Sequence, residues 1–216
     1  MTEPHRSPRE QAKRDAILAA ARELFTRHGF GDSSMDAIAE AANVSKQTLY
    51  RYYQNKEALF VATMQHMVFE QAVGALFAQL RETPMESLPQ LERTLVTWAQ
   101  LVLENIMRPD YIALVRVLIA EMPRFPSLGS LFFSAIPQEG GAVLRALFES
   151  AAAHRVVQDR DLDIAMHLFV SSLLMQIFVG LLRPDNYVEP LPRERLAIHV
   201  RLFLRGVVYH NQEEKE

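Results

Sequence analysis

The chain has 216 residues, 49% hydrophobic and 23% charged, with no cysteine. That balance excludes disorder along the whole chain, and the missing cysteines exclude disulfides and cysteine-ligated zinc or iron–sulfur centres. A net charge of −3 excludes nucleic-acid binding through a global positive field.

Regional charge leaves room for a local basic surface. Residues 1–60 hold nine Lys/Arg against eight Asp/Glu, whereas residues 61–216 hold fourteen against eighteen. Residues 1–8 are polar and proline-bearing, which predicts a disordered tail and lacks the apolar core of a signal peptide. Glycine is scarce (eight residues) and no period-2 strand pattern appears between turn signals. The expected fold class is all-α: a three-helix head with helix-turn-helix proportions and a larger C-terminal helical bundle, nine to ten helices in all.

A first helix is predicted from Arg9 to His28, with Ile17, Leu18, Ala21, Leu24 and Phe25 on one apolar stripe. Gly29 stands where a C-terminal stop with positive φ is expected. Ser33 or Ser34 can cap a short helix over Met35–Ala42, and Ser45 another over Lys46–Tyr52. Asn55 opens a long helix predicted over Lys56–Arg81. Farther on, prolines punctuate predicted helices over about 88–107, 110–122, 141–154, 161–182 and 193–210.

Two short helices separated by a turn of three or four residues have the proportions of a DNA-reading element. Met35, Ile38, Ala39, Ala42, Val44 and Leu49 are spaced to face the first helix. Ser45, Lys46, Gln47, Thr48, Tyr50, Arg51 and Tyr52 point elsewhere, and all of them carry hydrogen-bonding groups. Lysine and arginine donate to guanine O6 and N7, glutamine pairs with adenine, and threonine's methyl meets thymine's. Among the tyrosines, Tyr53 is expected in the core. Lys56 at a helix start opposes the helix dipole, an objection that a nearby phosphate would remove.

In order along the chain stand Ile17-Leu18-Ala19-Ala20-Ala21, Leu24-Phe25, Gly29-Phe30, Met35-Asp36-Ala37-Ile38-Ala39, Ala42-Asn43-Val44-Ser45, Thr48-Leu49-Tyr50, Tyr52-Tyr53 and Asn55-Lys56-Glu57-Ala58-Leu59. This series resembles the DNA-binding domain of the TetR family of bacterial regulators over about residues 9–60. The resemblance implies a cytoplasmic homodimer on a pseudo-palindromic double-stranded DNA operator. It implies phosphate contacts from Ser34, Thr48, Tyr50, Tyr52 and Lys56, and base contacts from Ser45, Lys46, Gln47 and Arg51. Asn43 departs from the family's common glycine but is the next-best residue for a left-handed turn. The domains expected are a tail over 1–8, the reading head over 9–55 and an effector-binding and dimerisation domain over 56–216.

Residues 119–126, Ile-Ala-Glu-Met-Pro-Arg-Phe-Pro, resemble C-terminal domains of the AcrR and AefR regulators. Trp98, Met107, Tyr111, Met122, Phe125, Phe133, Met175 and Phe178, with His167 as a polar anchor, are the candidate lining for a small hydrophobic effector. Leu162–Leu182 is the longest apolar stretch. His167, Ser171, Ser172 and Gln176 interrupt it, so it reads as an interface helix and not a membrane span. With the last helix it supplies the candidate dimer interface: Phe169, Leu173, Ile177, Val200, Phe203 and Leu204.

No Gly-rich phosphate loop, nucleophile elbow or paired carboxylate points to catalysis, so no enzyme activity and no cofactor are expected. A helical enzyme using His167 is the alternative from another class, and a regulator answering to a protein partner is a third reading. The histidines lack metal-ligand spacing. Asp159, Asp161 and Asp163 lack the glycine and terminal Glu of a calcium loop, so no metal is expected.

Overall fold

The computed structural model describes residues 7–68, 71–158, 161–183, 189 and 191–207, without the side chains of 71–73 and 136–139. Residues 1–6 of the expected tail, Asp159 and the end predicted for the last helix lie outside the described residues. Within them the chain is helical throughout: α1 (Pro8–Asp32), α2 (Met35–Ala41), α3 (Lys46–Tyr52), α4 (Lys56–Val68), α5 (Gln71–Glu82), α6 (Leu88–Ile106), α7 (Pro109–Glu121), α8 (Pro126–Ala153), α9 (Leu162–Leu182) and α10 (Arg193–Val207).

Local chemistry accounts for most boundaries. Ser7 and Glu10 form a reciprocal capping box and Pro8 takes the first helical position, so α1 begins inside the expected tail. Gly29, at φ 79° and ψ 176°, interrupts α1, and a last short turn follows it. Asn43 at φ 52° makes the left-handed turn between α2 and α3. The helix predicted over 56–81 is described as α4 and α5. One boundary differs. Pro137, Gly140 and Gly141 were expected to precede a helix, yet α8 runs through all three. Proline's fixed φ is itself helical, and inside a helix its cost is one lost backbone hydrogen bond and a clash of its ring with the carbonyl four residues back.

Contacts divide the described chain into two compact units, residues 7–68 with 110–136 and residues 71–109 with 137–207. In the first, α1 packs on α4 and α2, and α2 packs on α3. Its centre is aromatic: Phe25 and Phe30 each meet Phe60, at 5.0 and 5.5 Å between ring centroids, and Phe30 meets Phe125 at 5.1 Å. Ile17, Leu18, Ile38, Leu49 and Leu59 close the core around them. Such edge-to-face pairs contribute about 0.5–1.5 kcal/mol each beyond their burial.

In the second unit α10 lies along α6, with Leu196, Val200 and Leu204 buried together with Leu91, Leu95 and Leu103. Arg193 to Gln100 (2.6 Å) and Arg201 to Glu92 (3.1 Å) fasten the rim of this contact. Phe169 of α9 joins the same core, 4.9 Å from Phe203 and 6.0 Å from Trp98.

Candidate nucleic-acid interface

Two caps and one anchor set the reading head. Ser34 Oγ accepts from the Ala37 N–H at the start of α2, and Ser45 Oγ accepts from the Thr48 N–H at the start of α3, both at 3.1 Å. Leu49, wholly buried, is the side chain that fastens α3 to the core. Its neighbours Lys46, Gln47, Tyr50 and Arg51 are exposed. A helix of seven residues, about 10 Å long, thus has one side committed to packing and the rest turned to solvent.

The polar side chains are partly ordered by each other. Ser45 and Thr48 share a hydroxyl–hydroxyl hydrogen bond of 2.8 Å. Lys46 Nζ donates to Asp36 Oδ2 at 2.6 Å, tying the first residue of α3 to the first turn of α2. Arg51 lies over the Tyr52 ring, 5.3 Å from its centroid. Tyr53 is buried, as expected from the sequence.

Two expected phosphate donors are turned inward. The Tyr52 hydroxyl is buried and has no hydrogen-bond partner in the protomer. Lys56 Nζ donates to the carbonyls of Phe30 (2.6 Å), Gly31 (3.0 Å) and Ser33 (2.8 Å), and sits 4.4 Å from the centroid of the Phe30 ring. An ammonium has three donors, and in the protomer these three carbonyls engage them all. The carbonyls at the end of α1 are a helix's negative pole, and α1 has no basic residue of its own in its last turn. Lys56, unfavourable at the start of its own helix, is thus the cation for the end of another. Burial is the largest influence on it and lowers its pKa below the ordinary lysine value.

Nearby, Glu121 Oε1 accepts from the Gly31 N–H at 3.3 Å. Arg22 and Asp110 form an ion pair of 3.3 Å between α1 and α7. Asp36 and Glu121 have no periodic signal in the sequence; their partners lie ten and ninety residues away.

The candidate effector residues separate by burial. Trp98, Met107 and Tyr111 are buried, and Met122 and Phe125 are half-buried. Phe133, His167, Met175 and Phe178 are exposed on the surface of the protomer. An open cleft of about 660 Å³ runs along α1 and the end of α2, with Arg22, Arg27, Asn43 and Asp110 among its walls, and none of the expected effector residues touches it.

The candidate interface residues need a correction of face. Phe169, Leu173, Val200 and Leu204 are buried inside the protomer, where a partner cannot touch them; Ile177 and Phe203 are half-buried. The exposed large apolar side chains of the same helices are Ile164, Leu168, Leu174, Met175, Phe178, Val179 and Leu182 of α9, and Ile198 and Leu202 of α10. By length and composition α9 also passes for a membrane-crossing helix. Its apolarity all round is what hid the true outward face from a reading by spacing.

A capped, turn-linked pair of short helices on a buried aromatic core, with its polar helix outward, defines a helix-turn-helix DNA-binding protein. The profile described as "Bacterial regulatory proteins, tetR family" matches residues 17–63, and that of the AefR-like transcriptional repressor C-terminal domain matches residues 93–205. The chain belongs to the TetR family of transcriptional regulators, with a C-terminal region of the AefR-like kind. RutR of Escherichia coli strain K12, an HTH-type transcriptional regulator, is 41% identical over 63 residues. That match spans 29% of this chain and 30% of RutR. UidR of the same strain, likewise an HTH-type transcriptional regulator, is 29% identical over 199 residues, 92% of this chain and 94% of UidR. Among solved structures, the flavonoid-responsive regulator FrrA shares 30% identity with a TM-score of 0.62, covering 91% of this chain and 97% of FrrA.

Proposed function

We propose that the chain is a cytoplasmic, homodimeric repressor that leaves a pseudo-palindromic operator when a small hydrophobic effector binds. The single observation that carries the DNA-reading half is α3. Leu49 is its one fully buried side chain, and Lys46, Gln47, Tyr50 and Arg51 stand exposed. Base contacts fall to Ser45, Lys46, Gln47 and Arg51, and phosphate contacts to Ser34, Thr48 and Tyr50. Residues 9–55 form the reading head, and residues 56–216 bind effector and partner.

A second copy of the chain covers the outward apolar face of α9 and α10. Leu168, Met175 and Phe178 are each more than half exposed on it, a surface that a monomer in water does not keep bare. Two helices from each protomer would form a four-helix interface.

For the effector, the buried Trp98 Nε1 has no hydrogen-bond partner in the protein and its ring lies beside Phe169. An unmet indole N–H among aromatic rings favours a planar, aromatic ligand carrying an oxygen acceptor. That FrrA is flavonoid-responsive supports the same ligand class. Binding shifts the dimer off DNA only through a higher affinity for a state with a different separation of the two α3 helices.

The test is fluorescence anisotropy on a duplex enriched by the protein from a random-sequence pool, against a scrambled duplex of equal composition. Affinity about 10³-fold or more above the scramble is expected. Equal affinity for both would overturn the operator-binding reading. Free and effector-bound structures with the same α3–α3 separation would overturn the release mechanism.

A further inference from the structure

We infer that Asp36 is a specificity-determining residue of the reading head, holding Lys46 as a base reader and denying it to the phosphate backbone. The proposal rests on the reading of α3 as the DNA-contacting helix. Lys46 is the first residue of α3, and its Nζ lies 2.6 Å from Asp36 Oδ2 across the α2–α3 turn. Both side chains are more than half exposed. A pair so wetted adds little to stability, so its presence on the reading face calls for another account.

Charge supplies one. An untethered lysine at the tip of a recognition helix reaches some phosphate oxygen at any sequence, and each such contact strengthens binding without discrimination. Held by Asp36, Lys46 is part of a net-neutral pair. The pair adds nothing to the attraction of an arbitrary duplex, and a phosphate approaching Lys46 also approaches a carboxylate. A guanine O6 and N7 edge is a neutral acceptor that meets the remaining ammonium donors without that repulsion. The other cation on α3, Arg51, is held differently, over the Tyr52 ring, and forms no ion pair among the described residues. The slight positive balance of residues 1–60 suits the same design, in which little affinity comes from charge alone.

Asp36 also favours the positive end of α2, and that is the competing structural role. Asp36→Asn removes the charge and keeps the side chain's size. Glu40→Gln removes an exposed charge from the same helix, one that forms no ion pair with Lys46.

The experiment is selection from a random duplex pool by the full-length wild type, Asp36→Asn, Asp36→Glu, Lys46→Ala and Glu40→Gln, followed by anisotropy on the wild-type consensus and on its scramble. Asp36→Asn should lose preference at one base pair per half-site, the same one that Lys46→Ala loses, while Asp36→Glu retains it. Freed Lys46 should tighten binding to the scramble about fivefold at 0.15 M salt and steepen the log–log salt slope by about 0.9. Consensus affinity should rise less, so the specificity ratio falls; Glu40→Gln should leave the consensus unchanged. An unchanged consensus for Asp36→Asn, a loss at a base pair other than that of Lys46→Ala, or equal tightening on both duplexes would overturn the proposal. Failure of the wild type to enrich any consensus would overturn the DNA-reading assignment itself, a result distinct from the others.

Discussion

Lys56 shows what one residue contributes when its partners are far away in sequence. Its position at a helix start is legible from the chain, and so is the conflict with the dipole. The resolution is not, because the three carbonyls it meets are 23 to 26 residues earlier, at the end of α1. Lys56→Met keeps the aliphatic stem and removes the donors. It should destabilise the protein by about 1–3 kcal/mol, as carbonyls lose a charged donor, and a urea melt would measure this. The salt slope of operator binding should stay within error of wild type; a slope flatter by about one charge would restore Lys56 as a phosphate contact. Gly29 was legible for a different reason, since only glycine relieves a stop of that kind. At φ 79° and ψ 176° it occupies a region that is essentially glycine's own. A Cβ there would meet nothing within 4 Å, so the penalty is conformational and not steric. Gly29→Ala should cost about 1–3 kcal/mol in the same melt, and Gly29→Asn should not recover it, because ψ lies far from the left-handed helical well.

At the scale of elements, α9 marks the boundary of what spacing reveals. Where a helix has one apolar stripe, as in α1, spacing names the core; Ile17, Leu18, Ala21 and Phe25 are all buried. Where every face is apolar, spacing says that the helix is covered but not by what. Burial resolves the two faces of α9, with Phe169 and Leu173 inward and Leu168 and Phe178 outward. Variants of the two faces should therefore fail differently. Phe178→Lys should leave the circular dichroism spectrum unchanged and shift sedimentation from dimer to monomer. Phe169→Ala should lower folding stability by about 3–5 kcal/mol through a cavity in the α6–α9–α10 core. A stable, monomeric Phe169→Ala would mean that the faces are assigned the wrong way round. His199 of α10, hydrogen-bonded to Ser172 of α9 at 2.9 Å, adds a pH dependence to that packing. Burial lowers its pKa below the ordinary histidine value. The unfolded chain therefore binds the proton first on acidification, and stability falls as pH drops from about 6.5 through the folded value, then levels off. His199→Gln should flatten that part of a stability–pH profile; an unaltered profile would place the sensitivity elsewhere.

Across the whole molecule, the helical class and the reading head were legible because their signals are local: caps, one left-handed turn, and stripes within a single helix. The association of α7 and the start of α8 with the head was not, since it depends on contacts some ninety residues apart, such as Glu121 with Gly31 and Phe125 with Phe30. These contacts bear on where the chain divides as a folding body. The reading head proposed for residues 9–55 has its aromatic core closed by Leu59 and Phe60 of α4, both fully buried. A fragment ending at residue 55 would leave Phe25 and Phe30 without the ring that joins them. Burying a phenylalanine side chain stabilises by roughly 1.5–3 kcal/mol, a large share of what so small a domain has in hand. Hydrogen exchange should thus find fragment 7–55 unprotected. Fragment 7–68 should regain protection in α1 but remain weaker than the full chain around Phe30 and Gly31, where Phe125 and Glu121 are missing. Full protection in fragment 7–55 would mean that α1, α2 and α3 suffice alone, and that the contacts from α4 and α7 are not needed for folding.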